Sequence, residues 1–318
     1  MTFDLDDATA RLPLANRLSL KYSHPTFLVE TLLDNLPLDS STNLLKTSNQ
    51  TRTYYIRPNT LLGSTNSVIE SIVDVRAETD DSLPKVFRVV EGIDSVIRSQ
   101  AYRDGQVIIQ DKGSILIVDA LDPKPGQIIW DTCAAPGMKT QLIAERMRGS
   151  GRIIATDVYK DRVKAGKKLS KIFNASQIEW AQADAAKPVI HTAEKILIDA
   201  PCTSTGSLQS YPSFKWRLNK ESLFALMTVQ NKILDAILTD YSDKPGTEIV
   251  FSTCSLLPHE GESQIDSIMK RYTIRLLTPF EYGDPGYPGF DCSKMVRRLF
   301  PHKHDCGGFF VAKFKVMQ

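Results

Sequence analysis

Aspartates and cysteines follow the predicted buried strands in the second half of this 318-residue sequence. An ionised thiol is a nucleophile, and a carboxylate accepts hydrogen bonds from hydroxyl and amino groups. Four of the five segments that follow these strands carry an aspartate, and two end in a cysteine: Asp131–Lys139, Thr156-Asp157, Ala183-Asp184, Asp199–Cys202 and Ser252–Cys254. The carboxyl ends of parallel strands meet at one edge of a sheet, so we expect these side chains to form one ligand site.

The segment after the first of these strands is a turn of small residues that leads into a predicted helix. Its Ala-Ala-Pro-Gly sequence, ending at Gly137, lets the backbone approach a ligand, and the free N–H groups at a helix start suit an anion such as a carboxylate. The G-x-G-x-x-G fingerprint is absent, and the turn lacks the adjacent Gly-Lys of a P-loop. The turn therefore predicts a charged group other than a phosphate.

The aspartates after the next two strands complete the outline of this ligand. Asp157 lies at a position where an acid can accept both hydroxyls of a ribose. Asp184 follows the third strand, where a carboxylate can accept from an exocyclic amine. Each acid alone is most simply a helix cap or a turn residue. Together they predict an adenosine with a short charged tail, the form of S-adenosylmethionine.

The elements that position these residues predict a doubly wound α/β domain from residue 126 to residue 318. Nearly continuous apolar strands alternate with amphipathic helices, which is typical of a mostly parallel sheet covered on both faces. The strands are predicted at 127–130, 152–156, 177–181, 195–198 and 248–252, and the helices at 138–148, 160–173, 220–238 and 259–270. The last two strands, 274–277 and 308–315, predict an antiparallel hairpin at the sheet edge.

Residues 1–125 have a different pattern, which predicts a small α+β module. Apolar residues at three- and four-residue spacing predict a helix after His24-Pro25, followed by a polar connection at 39–43. Alternating β-branched and aromatic residues predict strands at 51–57, 85–90, 106–110 and 115–118.

Composition limits the class of protein. Lys and Arg number 39 against 37 Asp and Glu, a net charge of +2 that by itself shows no nucleic-acid binding. We expect a cytoplasmic protein, because no apolar run is long enough to cross a membrane and the acidic N-terminus is unlike a signal peptide. Five scattered cysteines exclude a disulfide framework and indicate free thiols.

Three motifs resemble the RNA cytosine-C5 methyltransferases of the RsmB/NOP2/Sun type. They are Asp131-Thr-Cys-Ala-Ala-Pro-Gly-Met-Lys-Thr140, Asp199-Ala-Pro-Cys-Thr-Ser-Thr-Gly206 and Ser252-Thr-Cys-Ser255. The resemblance covers the whole C-terminal part and reaches into the first module through Tyr102–Gly105 with Gln110-Asp111. It extends more faintly to His24-Pro25 and Arg57–Thr60. Two departures are small: Met138 stands where glycine is commonest, and the loop after Cys202 reads Thr-Ser-Thr-Gly.

The resemblance implies a mechanism and a substrate. Cys254 would attack carbon 6 of a cytosine, Cys202 would help to break down the adduct, and Asp199 would hydrogen-bond the base. The first module would bind RNA. The chain resembles the prokaryotic, especially archaeal, tRNA-type members, so we expect a monomer acting on tRNA, with rRNA as the alternative.

The residues that we expect to bind the cofactor S-adenosylmethionine come from the turn, from the strand ends and, by resemblance, from the helix after Asp157. They are Cys133, Ala134, Ala135, Pro136, Gly137, Met138, Lys139, Asp157, Arg162, Asp184 and Asp199. Cys133 lines the turn and need not react. Basic clusters at 160–171, 215–217 and 294–303 are candidates for the RNA surface, and the aromatic residues of 211–216 suit base stacking.

Other interpretations have specific difficulties. An amino-group methyltransferase of the same fold would carry an Asn/Asp-Pro-Pro-aromatic clamp where this chain has Asp199-Ala-Pro-Cys202. An inactive RNA-binding or ribosome-assembly protein would not need Cys254. A zinc site is not expected, because the spacing of Cys292, His302, His304 and Cys306 fits none of the structural zinc patterns.

Overall fold

The computed structural model describes residues 9–318, which contain an antiparallel sheet of four strands and a larger sheet of eight. Three helices come first: α1 (Leu14–Tyr22), α2 (Thr26–Asn35) and α3 (Leu38–Thr47). Each begins directly after a proline, which is tolerated there because the first N–H groups of a helix have no partner within it. The helix predicted after His24-Pro25 is confirmed, whereas the predicted polar connection at 39–43 lies inside α3.

The smaller sheet has the strand order β2-β3-β1-β4, and all of its pairs are antiparallel. Short helices connect these strands and cover them with side chains such as Ile69 and Val96, which share a core with Ile56. The elements are β1 (Tyr54–Pro58), α4 (Ser67–Glu70), β2 (Arg76–Thr79), β3 (Phe87–Glu91), α5 (Ile93–Arg98), α6 (Gln100–Arg103) and β4 (Val107–Ile109).

The larger sheet has the strand order β10-β12-β9-β8-β5-β6-β7, with β11 paired to β12. The five strands from β5 to β9 are parallel. Its strands are β5 (Ile128–Asp131), β6 (Arg152–Asp157), β7 (Ile178–Gln182), β8 (Lys195–Asp199), β9 (Glu248–Thr253), β10 (Ile274–Leu277), β11 (Arg297–Leu299) and β12 (Phe309–Val316). Strand order reverses at β5, so a crevice opens at the carboxyl ends of β5 and β8.

Helices accompany the larger sheet: α7 (Lys112–Leu121), α8 (Met138–Arg146), α9 (Lys160–Ile172), α10 (Lys220–Asp240), α11 (Glu262–Met269) and α12 (Pro301–His304). The predicted α/β class is confirmed, with a mostly parallel sheet and antiparallel strands on one side. Within residues 9–318 no helix is both long and apolar enough to span a bilayer.

The strand predicted at 115–118 is wrong, because these residues form the middle of α7. The Asp111 carboxylate accepts a hydrogen bond from the N–H of Gly113 (2.8 Å) and so caps the helix. Most of α7 is buried, and Ile117 shares a core with Ile129 and Val250 of the larger sheet. A helix that is buried on most sides lacks the polar stripe that would reveal its period.

The predicted C-terminal hairpin needs a correction. Strands β10 and β12 do pair antiparallel, with Leu276 opposite Phe314. However, β11 and α12 lie between them in the chain, and β12 also pairs with β9. The strand at the sheet edge is therefore β10, and β12 is an interior strand.

Candidate active site

The predicted turn of small residues runs from the end of β5 into α8 and lines a cavity. Gly137 has a φ of +111°, and a Cβ atom there would lie 2.9 Å from the ring of Trp180, so glycine is required on both grounds. The cavity is lined by Asp131, Cys133, Ala134, Ala135, Pro136, Met138, Lys139 and Asp199. The structure thus brings the turn together with the ends of β5 and β8.

Asp131, which lines this cavity, has one buried carboxylate oxygen without a hydrogen-bond partner. Its Oδ2 accepts a hydrogen bond from Thr140 Oγ1 (2.7 Å), whereas Oδ1 has no hydrogen-bond partner. Burial raises the pKa of Asp131 to about 7. A ligand with an ammonium group beside Oδ1 would satisfy that oxygen and favour the ionised acid.

Asp157 and Arg162 meet at the same turn. Asp157 is buried, and its Oδ2 lies 3.1 Å from Arg162 Nη1 and 3.3 Å from the backbone nitrogen of Ala135. Arg162 also donates a hydrogen bond to the Ala135 carbonyl. Asp184 follows β7 at the same sheet edge, but its carboxylate is exposed and accepts from Ala186 of its own loop (3.0 Å).

Lys139 and Asp199 form an ion pair across the cavity. Lys139 Nζ lies 2.7 Å from Asp199 Oδ2, and Ser252 Oγ donates to Asp199 Oδ1 (2.8 Å). Burial alone would lower the pKa of Lys139, but the charge and hydrogen bond of Asp199, together with the charges of Cys254 and Asp131, outweigh burial and raise that pKa. The Asp199 carboxylate is therefore held in one orientation from two sides.

Cys202 and Cys254 lie at the ends of β8 and β9 with their Sγ atoms 3.3 Å apart. The two strands are parallel neighbours, as predicted, with Asp199 opposite Ser252. A hydrogen bond from Cys202 lowers the pKa of Cys254 to about 7, whereas the same bond and burial raise the pKa of Cys202 well above its ordinary value. This hydrogen bond therefore favours the thiolate on Cys254 and the thiol on Cys202.

Glu260 is a site residue that the sequence did not reveal. It is fully buried six residues after Cys254. Its carboxylate accepts hydrogen bonds from Thr203 N (2.9 Å), Thr203 Oγ1, Ser255 Oγ (2.6 Å) and Gln230 Nε2 (3.0 Å). It joins the loop of Cys202 to the loop of Cys254. In the sequence, an acid near the start of a helix gives no signal of this role.

The basic cluster at 294–303 does not lie wholly on the surface, because Arg298 is fully buried. Its guanidinium pairs with Glu262 (Nε to Oε1, 2.7 Å) and donates to the Ser255 carbonyl (3.0 Å). Lys303 is paired with Asp284. The five lysines of α9 are exposed, which is compatible with either an RNA surface or a solvated face.

Cys133, His302 and His304 have environments that are consistent with structural roles. Cys133 lines the turn, and burial raises its pKa to about 12. His304 Nδ1 accepts from the backbone of Phe300 (2.8 Å), and His302 contacts Ser40. No cluster of three or more potential metal ligands occurs among residues 9–318.

The 3₁₀ segment Pro212–Arg217 presents aromatic rings beyond the Cys202 loop. The Trp216 side chain is 84% exposed, and the exposed Tyr211 stacks on Phe214 with centroids 5.1 Å apart. Exposed aromatic rings of this kind are the type of surface on which nucleobases stack in proteins that bind single-stranded nucleic acids.

The known proteins that are similar to this chain include ribosomal RNA methyltransferases. The chain is 28% identical over 301 residues to a probable ribosomal RNA small subunit methyltransferase B of Synechocystis, covering 93% of this chain and 67% of that protein. It is 30% identical over 323 residues to the 25S rRNA (cytosine-C(5))-methyltransferase nop2 of Schizosaccharomyces pombe, covering 95% of this chain and 52% of that protein. It therefore spans between half and two thirds of the length of these two relatives.

Solved structures show the same fold. The crystal structure of a methyltransferase homologue from Pyrococcus horikoshii superposes with a TM-score of 0.83 at 24% identity, covering 96% of this chain and 99% of that one.

The family model of the 16S rRNA methyltransferase RsmB/F matches residues 118–315, which is more than half of the chain and includes every strand end of the candidate site. The protein is therefore a member of the RsmB/F family of RNA methyltransferases, as its three motifs predicted.

Proposed function

We propose that this protein transfers a methyl group from S-adenosylmethionine to carbon 5 of a cytosine in RNA. The observation that carries the proposal is the pair of thiols 3.3 Å apart, of which Cys254 has a lowered pKa and Cys202 a raised one. A methylation of an amine or a hydroxyl group needs no thiolate, whereas carbon 5 of cytosine becomes nucleophilic only after a nucleophile adds to carbon 6.

The cavity residues fit the cofactor. The unpaired Oδ1 of Asp131 suits its ammonium group, and the N-terminus of α8 suits its carboxylate. Asp157 would accept the ribose hydroxyls, and Asp184 would accept from the adenine amine. When bound, S-adenosylmethionine would supply the methyl group as an electrophile on sulfur.

Cys254 is the nucleophile in this proposal. Its thiolate adds to carbon 6 of the cytosine, and the electron pair of the carbon 5–carbon 6 double bond becomes available to take the methyl group at carbon 5. Asp199, which Lys139 and Ser252 hold in place, would accept a hydrogen bond from the amino group of the base. The lowered pKa of Cys254 supports this role, because it favours the nucleophilic thiolate form.

Cys202 would act in product release. After transfer, a base takes the proton from carbon 5, the electron pair of that bond restores the carbon 5–carbon 6 double bond, and Cys254 Sγ leaves carbon 6 as a thiolate. Cys202 keeps its proton beside Cys254, so it can donate a hydrogen bond to the departing sulfur. Without that donor the covalent adduct should persist.

RNA is the proposed substrate, and the relatives reported above are named for ribosomal RNA. We propose ribosomal RNA first and transfer RNA, expected from the sequence, as the alternative. A cytosine must leave its stack to reach the cavity, and Tyr211 and Trp216 would stack on its neighbours. We further propose that residues 1–125 bind RNA and that the protein acts as a monomer in the cytoplasm.

The test is a methylation assay with tritiated S-adenosylmethionine and separate ribosomal and transfer RNA fractions lacking 5-methylcytosine. Wild-type protein should label one fraction, and bisulfite sequencing should place the label at a cytosine. Cys254→Ser should abolish labelling while calorimetry shows unchanged cofactor affinity. Labelling by Cys254→Ser, or label on an exocyclic amine, would overturn the proposal. Absence of labelling by wild-type protein on either RNA would favour the inactive RNA-binding alternative.

A further inference from the structure

Two of the five thiols are placed so that they can react with each other. Within residues 9–318, which include all five cysteines, Cys202 and Cys254 are the only pair whose sulfur atoms are in contact, 3.3 Å apart. Both are partly exposed, so a small molecule in solution can reach them. Cys292 and Cys306 are buried in two different cores, and Cys133 lines the turn after β5. A reaction between two thiols of this chain therefore has one site.

The backbone around the two sulfurs is compatible with a disulfide bond. Asp199 lies opposite Ser252 in the parallel pair of β8 and β9, and neighbouring strands are about 4.8 Å apart. Each cysteine follows this pair within three residues, and a disulfide joins Cα atoms about 4.4–6.8 Å apart. The sulfurs would have to approach from 3.3 Å to the bonded distance of about 2.0 Å. That movement involves the two side chains and their loops and leaves the strand pairing intact.

Hydrogen bonds hold the two cysteine loops beside each other. The Gly206 N–H donates to the Cys254 carbonyl (2.9 Å). The Glu260 carboxylate accepts from Thr203 N (2.9 Å) in one loop and from Ser255 Oγ (2.6 Å) in the other. Each thiol therefore meets the other at a high effective concentration, which favours a bond within the chain over a bond between two molecules.

We propose that Cys202 and Cys254 are a site of reversible oxidation, at which hydrogen peroxide forms a disulfide between them. The thiolate of either cysteine attacks one peroxide oxygen, the O–O bond breaks, and a sulfenic acid forms as hydroxide leaves. The second sulfur then attacks the sulfenic sulfur, the S–O bond breaks, and the proton of the second thiol leaves with the oxygen as water. The two thiols lose two electrons, and one peroxide is reduced. A dithiol such as dithiothreitol reverses the bond by exchange.

The consequence for catalysis rests on the proposed function, whereas the oxidation itself does not. A Cys254 sulfur that is bonded to Cys202 cannot add to carbon 6 of a cytosine, so the disulfide would stop methylation and its reduction would restore it.

The test is non-reducing peptide mapping of the full-length protein after brief treatment with hydrogen peroxide. Iodoacetamide added in denaturant blocks the remaining thiols, and trypsin separates the two cysteines by cutting after Lys215. Wild-type protein should yield one linked pair of peptides, Cys202 with Cys254, while the number of alkylated thiols falls from five to three. Dithiothreitol should restore all five.

The matched variants remove one thiol at a time. Cys202→Ser and Cys254→Ser should give no linked peptides, and the remaining thiol of the pair should proceed to sulfinic acid. Cys292→Ala removes a buried cysteine from another part of the core and should form the disulfide as wild type does. Sulfinic acid on Cys254 without the linked pair in wild type, or a linked pair that forms only in denaturant, would overturn the proposal. So would five free thiols that persist under peroxide that oxidises dithiothreitol in the same buffer.

Methylation measured on the same samples distinguishes the two proposals. Activity should fall in proportion to the disulfide formed and return with dithiothreitol. A protein that forms the disulfide but methylates no RNA when reduced would refute the proposed function and not this oxidation. Full methylation by the fully oxidised protein would remove Cys254 from the role of nucleophile, whereas loss of activity without the linked pair would refute the disulfide as its cause.

Discussion

Removing Cys202 should raise the pKa of Cys254, because the hydrogen bond from Cys202 is the largest cause of its lowered value. Cys202→Ala deletes that donor, and the Cys254 pKa should return from about 7 toward its ordinary value near 9. A thiolate exists above the pKa of its thiol, so the reactive form of Cys254 should appear at higher pH in the variant. At pH 7 the ionised fraction should fall from about one half to about one hundredth.

The expected rate change is smaller than the change in ionised fraction. A more basic thiolate is a better nucleophile. With a Brønsted coefficient of about 0.4–0.5, a rise of two pKa units increases the rate constant of the thiolate about six- to tenfold. The net loss in the iodoacetamide rate of Cys254 at pH 7 should therefore be about five- to eightfold. The order should reverse slightly above about pH 8, and at higher pH the variant should react faster. A profile measured in half-unit pH steps by peptide mass spectrometry would show this crossing.

The crossing of the two pH–rate profiles distinguishes an electrostatic effect on Cys254 from a change in the access of iodoacetamide to it. If Cys202→Ala merely opened or blocked the site, the rate of Cys254 would change by one factor at every pH. Cys292→Ala, which removes a buried cysteine from another part of the core, should leave the Cys254 profile unchanged. A Cys254 midpoint that stays near 7 in Cys202→Ala would refute the reasoning from the hydrogen bond.

Three further predictions address the adduct, the cofactor and the fold. Cys202→Ala incubated with labelled RNA and cofactor should accumulate an SDS-resistant RNA–protein band that Cys202→Ala/Cys254→Ala does not give; a band from Cys254→Ala alone would mean that the two roles are exchanged. Asp157→Ala should weaken S-adenosylmethionine binding about tenfold or more, as measured by calorimetry, because the ribose hydroxyls lose a charged acceptor. An unchanged affinity would place the ribose elsewhere. Asp161→Ala, on the exposed face of α9, is the control. Arg298→Met should lower the free energy of unfolding in urea by about 3–5 kcal/mol, because Glu262 loses its buried partner, and a loss below about 1 kcal/mol would show that the ion pair is dispensable.

The parallel sheet and the convergence of its strand ends could be predicted because that information is local in the sequence. Each of β5 to β9 ends in a polar residue, all but β7 contain a short apolar run, and helices with a regular period separate most of these strands. Parallel strands joined by helices bring their carboxyl ends to one edge, so the meeting of the segments after Asp131, Asp199 and Thr253 follows from topology.

Charged residues inside the fold could not be placed in the same way. Arg298 stands in a basic stretch that reads as a surface, and its burial depends on Glu262, 36 residues earlier. Glu260 precedes a helix, where an acid is ordinary, and its contacts come from three separate segments. Whether such a charge is buried depends on partners that are distant in the chain, and the hydrophobic periodicity of the sequence gives no information about them. The misassigned α7 has a related cause, since its burial by the larger sheet removes the polar face that identifies a helix.

The segment from Cys254 to Glu262 explains how two thiols can remain close enough to share a proton. The Gly206 N–H donates to the Cys254 carbonyl (2.9 Å), and Arg298 holds the next carbonyl, that of Ser255. Glu260 then returns to bind the Cys202 loop. A shift of either loop by about an ångström would break the sulfur–sulfur hydrogen bond and with it the difference between the two pKa values. Apolar residues of equal volume could fill the same core, often with no loss of stability, but they would not fix the direction of these hydrogen bonds. The buried charges behind the loops therefore fix the positions of the two cysteine loops, on which the proposed chemistry depends.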